Sequence, residues 1–210
     1  MTIELAQDTQ EAPAVPSNPN GLWMDNPHWW LHMPDARFAA SMARFHARNR
    51  HHLRMAMTVL PEMEEPAYWE AELARRQTAM QAGQAVHLIC LPKEAGDEEI
   101  GALTSFWAIE RGDFQACTLS FMIDRSMEGR SLMHAAVAPA MREVLQRHRL
   151  HRVMATHLPE NLRSAALLRR LGFVVEGYAR DFVRIGGQWR DNVLLSHLVE
   201  PRDRRGPAAT

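Results

Sequence analysis

Three short stretches combine residue types and spacings that suit chemistry. In "RSMEGRSLMHAA" (residues 125–136) an apolar alternating run gives way to a helical pattern. A helix that starts directly after a strand presents unpaired N–H groups and the positive end of its dipole, which together suit a pyrophosphate. Gly129 permits close backbone approach, and Arg125, Arg130 and Ser131 add donors. Glu128 works against this, because an acid beside phosphate is repulsive, and an ordinary helix start explains the same residues. In "PENLRSAALLRRLGF" (159–173) Asn161 and Ser164 stand three apart, a pair that helix capping explains. Glu110 ends the apolar run "TSFWAIE" next to a turn.

Other groups with chemical potential do not assemble. The 11 histidines include His28 and His32 four apart, adjacent His51 and His52, and His148 and His151 three apart. None has a Cys or carboxylate set at ligand spacing, so no metal site is expected. The chain also has no convincing Ser-His-Asp or Cys-His set. Cys90 and Cys117 lie in apolar runs without a CxxC pattern and read as buried thiols of a reducing compartment.

The elements that must position these residues follow from periodicity. "HWWLHM" (28–33) reads as a first strand, and Phe38, Met42 and Phe45 give a helix over 34–50. A second helix fits 66–82, opened by Pro66 and carrying Tyr68, Trp69, Leu73, Arg76 and Met80 on one face. Strands are expected at 85–91, 100–110 and 114–124, the last two forming an antiparallel hairpin. A helix over 129–149 carries Met133, Val137, Met141, Val144 and Leu145, with a kink expected at Pro139. A strand at 151–158 leads into a helix from Pro159 to Leu171 that Gly172 stops. Two final strands flank Gly186-Gly187, a hairpin signal. This mixture implies an α/β or α+β fold with helices packed on a sheet.

Composition narrows the class. The chain has 210 residues, 46% of them hydrophobic, which suits one domain over 22–200 between a flexible lead-in (1–21) and a flexible tail (201–210). Its 24 basic and 25 acidic residues leave a net charge of −1, which argues against direct nucleic-acid recognition. Local basic clusters such as "RHRLHR" (147–152) read as a solvated face. No apolar run is long enough to span a bilayer, and the N-terminus lacks the pattern of a signal peptide, so a cytoplasmic protein without a membrane partner is expected.

Residues 151–198 resemble the C-terminal half of the GCN5-related N-acetyltransferases (GNAT), in particular the Rim-type ribosomal-protein-alanine N-acetyltransferases. The resemblance rests on Asn161, Ser164, Leu171-Gly172-Phe173, Glu176-Gly177, Gly187 and Trp189-Arg190-Asp191. It extends to "RGDFQACTLSFMID" leading into "EGRSLMHAA", and to "RNRHHL" (48–53), which is similar to a family loop between the first helices. It implies a mostly antiparallel central sheet, splayed in the middle, with helices on both faces.

The resemblance also implies acetyl-CoA as co-substrate, lying in the splay between the strands at 117–124 and 151–158. Its pantetheine would run along the strand that carries Phe121, Met122 and Ile123. Its pyrophosphate would rest on the loop of Glu128, Gly129, Arg130, Ser131, Leu132 and Met133, with Asn161 and Leu168 also contacting the cofactor. Ser164 matches a residue held to protonate the leaving thiolate, and Glu110 a candidate base acting through water, unless it is only a turn-flanking carboxylate. Direct attack by an amine needs no covalent nucleophile. The implied acceptor is a protein N-terminal α-amine, a ribosomal protein's among them, or a small toxic or antibiotic amine, lined by Asn49, Arg50, Arg180, Trp189 and Asp191. The structural alternative for Arg180 and Asp191 is an ion pair across the hairpin. A non-catalytic CoA-binding module is a third reading. No metal is implied, and the chain is expected as a monomer or homodimer. This chain departs from the family loop, usually Gln or Arg, then Gly, any residue, Gly: it has Glu128 first and Ser131 in place of the second glycine. Ala135-Ala136 replaces a Glu-Ala pair, and Pro139 is unusual.

Overall fold

The computed structural model describes residues 21–94 and 99–199. The lead-in and tail expected at the ends, and the middle of the turn at 92–99, lie outside the described residues apart from Gly21 and the turn's edges. In chain order the elements are β1 (Leu22–Asp25), β2 (Trp29–His32), α1 (Ala39–Leu53), α2 (Pro66–Gln81), β3 (Val86–Pro92), β4 (Ala102–Glu110), β5 (Ala116–Ile123), α3 (Leu132–Arg147), β6 (Arg152–His157), α4 (Leu162–Arg170), β7 (Val174–Ile185) and β8 (Gln188–Leu198). Short 3-10 turns precede α1, α2 and α3.

The strands form one sheet in the order β1-β2-β3-β4-β5-β6-β8-β7. Every neighbouring pair is antiparallel except β5 and β6. Side chains alternate across this sheet with period two. Val86, Leu88 and Cys90 face a core shared with α3 and α4, while Ile89 and Leu91 face a second core under α1 and α2. Both faces are therefore covered by helices, as the resemblance implied. Both cysteines are free and buried, and burial pushes the Cys117 thiol up to about 12.

Sequence and structure differ in instructive places. Residues 22–25, unassigned by periodicity, form β1 and pair with β2. Residues 48–53, expected in a loop, are the last turns of α1. The helix α3 runs on through Pro139. A proline four residues on deprives the Ala135 carbonyl of its helical donor, and Asn26 Nδ2 replaces it at 3.2 Å. The same Asn26 accepts from His28 and Trp29 N–H through Oδ1, so the β1–β2 turn docks on the helix at its missing bond. Within the basic stretch 147–152, His148 is buried, against the solvated face expected. Among the described residues, no helix is long and apolar enough to cross a membrane.

Three histidines are held neutral, His46 and His148 buried and His87 half-buried. Burial is the main cause lowering His46, His87 and His148 to about 4 each, with Arg111 adding to it at His148. Arg111 Nη2 donates to His148 Nδ1 at 3.1 Å, which fixes that ring as an acceptor. As pH falls below the ordinary histidine value of about 6.5, the unfolded chain takes up protons that the folded chain refuses, so stability declines with pH. We expect the urea midpoint to fall continuously from pH 7 to pH 4.5. Equal midpoints across that range would contradict the neutral buried state of these rings.

Candidate active site

The sheet opens between its two halves. β5 and β6 run parallel but pair only at Ala116 with Arg152, Cys117 with Val153 and Thr118 with Met154. Beyond that, β5 stays paired with β4 up to Ile123, and β6 with β8 up to His157. Each half keeps its own antiparallel pairing, and the two diverge. Residues 119–123 thus have an open edge, where every second residue turns its N–H and C=O into the gap. Phe121 and Ile123 pack toward the α3 side and Met122 toward the α1 and α2 side, all half-buried.

The strand ends in a tightly held corner. Asp124 is buried and accepts from Arg48 Nε at 2.6 Å, Asn49 Nδ2 at 3.0 Å, Ser126 N at 2.9 Å and Ser126 Oγ at 2.6 Å. Burial alone would raise its pKa, but the bonds from Ser126, Asn49 and Arg48 prevail and hold it down at about 2. The stability this lowered value confers is present above the ordinary carboxylate range and is lost only as pH falls toward 2. Asn49 completes the anchor: Nδ2 also donates to Phe45 O at 2.9 Å, and Oδ1 accepts from Arg125 N at 3.0 Å. Expected to line an acceptor, Asn49 is instead buried and spends its amide on this corner. Arg50 points elsewhere, to Glu64 at 2.8 Å.

Beyond the corner, the amides of residues 129–134 have no hydrogen-bond acceptor among the described residues. Gly129 has φ +74° and open space where a Cβ would stand. Ser131 adopts φ +60° in the left-handed region, and its side chain does not cap α3. Its hydroxyl instead accepts from Arg170 Nη1 at 3.1 Å. Arg130 reaches outward to Glu94 at 3.2 Å. Behind the loop, Trp29 Nε1 donates to Leu132 O at 2.9 Å. A Cβ on Gly101 would meet the Trp29 ring at 2.7 Å and Met127 Sδ at 2.8 Å, so this close packing requires glycine. Leu132 is half-buried, and Met133 is buried in the main core.

Across the gap, α4 starts just after β6. Asn161 caps it, accepting from Ser164 N at 3.1 Å. That uses Asn161 Oδ1 and leaves its NH2 group and the half-buried Ser164 hydroxyl without a hydrogen bond among the described residues. Leu168, expected against the cofactor, is only 1% exposed within the main core, so it supports α4 from below. Glu110 lies opposite Ala116, on the closed side of the splay and past a bulge at Ala108, with its side chain exposed.

The last hairpin is bulged. Ala179 pairs with Asn192 and Val183 with Arg190, so three residues of β7 stand against Asp191. Asp191 fills the bulge by accepting from Tyr178 OH at 2.6 Å and Asp181 N at 2.9 Å. Asp191 spends both carboxylate oxygens on these bonds, and no ion pair with Arg180 within 4.0 Å is found among the described residues. Arg180 and Trp189 are exposed. The tip of the hairpin meets the segment after α1, where Gly186 N donates to Thr58 Oγ1 at 3.1 Å. Periodicity gave no sign of Asp124, Arg48 or the bulge at 180–182. The nearest signal was Asp124 standing two before Ser126, a turn-capping spacing.

Among the described residues, a mixed sheet flanked by helices opens between its one parallel pair, beside a helix start with unpaired amides, which is the architecture the resemblance implied. A family model for the acetyltransferase (GNAT) domain matches residues 28–174, and the chain belongs to that family. Among curated relatives, the [ribosomal protein uS5]-alanine N-acetyltransferase of Escherichia coli (strain K12) is 37% identical over 161 residues, 76% of this chain and 82% of that protein. The crystal structure of ribosomal-protein-S5-alanine acetyltransferase from Vibrio fischeri matches with a TM-score of 0.79 and 27% identity, covering 83% of this chain and 95% of that one. Mycobacterium smegmatis RimJ in complex with CoA-disulfide shares the fold, with a TM-score of 0.76 at 22% identity over 84% of this chain and 88% of that one.

Ser131 is strained in the left-handed region, at the position where the resemblance implies glycine. A non-glycine residue in the left-handed region costs roughly 1–2 kcal/mol, part of which glycine's larger unfolded-state entropy returns. Ser131→Gly should therefore stabilise the fold by about 0.5–1 kcal/mol in urea unfolding. A loss of stability would show that the Arg170 contact outweighs the strain.

Proposed function

We propose that this acetyltransferase moves the acetyl group of acetyl-CoA by direct attack to a primary amine, in the first place a protein N-terminal α-amine of the ribosomal-protein-alanine kind. The observation that carries this reading is the open edge of residues 119–123 on β5 together with the amides of 129–134 at the start of α3, which have no acceptor among the described residues and lie with that edge on either side of the anchored Asp124 corner. The likeness to the uS5-alanine enzyme supports the acceptor class.

The residues fit such a co-substrate. Amides 129–134 with the dipole of α3 suit a diphosphate. The open edge of residues 119–123 suits the amide groups of a pantetheine arm, and the free NH2 of Asn161 can donate to them from the other side. Acetyl-CoA supplies an activated thioester when bound. The chain's own work is then to polarise the carbonyl, remove a proton from the amine and return one to sulfur. Backbone N–H on the open β5 edge serves the carbonyl oxygen as its negative charge develops. The Ser164 hydroxyl, in the first turn of α4, donates to the departing thiolate. Glu110, on the closed side of the splay, draws the amine proton through water.

A small amine is the second reading, favoured by the tie between Thr58 and Gly186, which joins the segment after α1 to the hairpin tip. A thiol-release assay against N-terminal peptides and small amines decides between them: the first reading expects turnover with Ala-initiated peptides, and turnover confined to small amines would contradict it. In the same assay Ser164→Ala should lower kcat by about 100-fold, in the range of general acid catalysis, while acetyl-CoA affinity changes less than about twofold. Unchanged kcat would remove Ser164 from the chemistry.

A further inference from the structure

The loop that would hold a diphosphate begins with a carboxylate, and that carboxylate is not turned to water. The Glu128 side chain is only 14% exposed. One oxygen lies 3.1 Å from His52 Nε2, in the last turn of α1. The other accepts from Arg163 Nη1, in the first turn of α4. One anion therefore joins the helix on one face of the sheet to the helix that follows β6, across the open end of the gap. The Arg163 side chain is otherwise 76% exposed. An ion pair with so exposed a partner is weakly held, and an Arg fork takes a phosphate at least as well as a carboxylate. Arg170 adds a further cation at Ser131.

We propose that Glu128 is a resident anion, which holds Arg163 and His52 beside the amides of residues 129–134 and yields both to the diphosphate of the acyl carrier. The carboxylate competes with the diphosphate for the same partners and repels it from the adjacent position. It thereby weakens the hold on acetyl-CoA and on the CoA released after transfer. This inference rests on the CoA reading of the site, and it explains why an acid is tolerated where phosphate must come.

Calorimetric titration with CoA, and with pantetheine as a probe lacking the diphosphate, tests it. Glu128→Gln should tighten CoA binding about tenfold and leave pantetheine binding unchanged. Arg163→Gln, a change on an exposed side chain, should weaken CoA binding about tenfold, again without effect on pantetheine, and carries the test even if the Glu128 variant does not fold. Unchanged or weaker CoA binding by folded Glu128→Gln would overturn the inference, as would equal shifts for pantetheine. Wild-type protein that binds CoA while the variants leave affinity unmoved defeats this inference alone. Wild-type protein with no CoA binding defeats the functional reading and the inference with it.

Discussion

Everything at the site depends on a parallel pairing that stops after three residue pairs. β5 and β6 are each satisfied on their outer sides by a long antiparallel neighbour, so the sheet can open between them without losing its integrity. The cost is a row of backbone groups with no partner among the described residues. Buried or half-buried backbone polar groups are nearly always paired, and a row left open along one strand edge is a place for an extended ligand to complete the sheet. The helix α3 then starts at the end of that same strand, so the amides of its first turn continue the row.

Such an opening is useful only if its rim is stiff. Asp124 supplies that stiffness by tying the end of β5 to α1 through Arg48 and Asn49, and the following turn through Ser126. Asp124 N also donates to Gly101 O at 2.8 Å, which binds the corner to the start of β4. Trp29 packs beneath, against Gly101, and holds Leu132 O. The loop is thus anchored at both ends, while its middle, from Gly129 to the first turn of α3, has amides with no acceptor among the described residues. Charge at the rim is arranged differently: Glu128 is held by side chains from two helices, His52 of α1 and Arg163 of α4.

Much of this was legible in the sequence, because local patterns dictate it. Strand periodicity at 85–91, 100–110 and 114–124, the Gly186-Gly187 turn and the Asn161–Ser164 cap each matched the structure within a few residues. What was hidden depends on partners far apart in the chain. Arg48 and Asp124 are 76 residues apart, Glu128 and Arg163 are 35 apart, and Asn26 and Ala135 are 109 apart. Glu128 alone reads as an acid misplaced beside phosphate, since nothing local reveals His52 and Arg163. Burial is hidden in the same way: Asn49 is buried at the Asp124 corner and Leu168 in the main core, and a motif gives identity without giving burial. The bulge at 180–182 escaped for a related reason: strand alternation does not announce three residues set against one.

Amide hydrogen exchange with and without acetyl-CoA reads the open edge of β5 and the start of α3 directly. Protection is expected on binding at residues 119–123 and 129–134, where free N–H groups acquire acceptors, with little change in β3 and β8, which have strand neighbours on both sides. Exchange at those two segments that is indifferent to acetyl-CoA, or protection confined to other elements, would contradict this expectation.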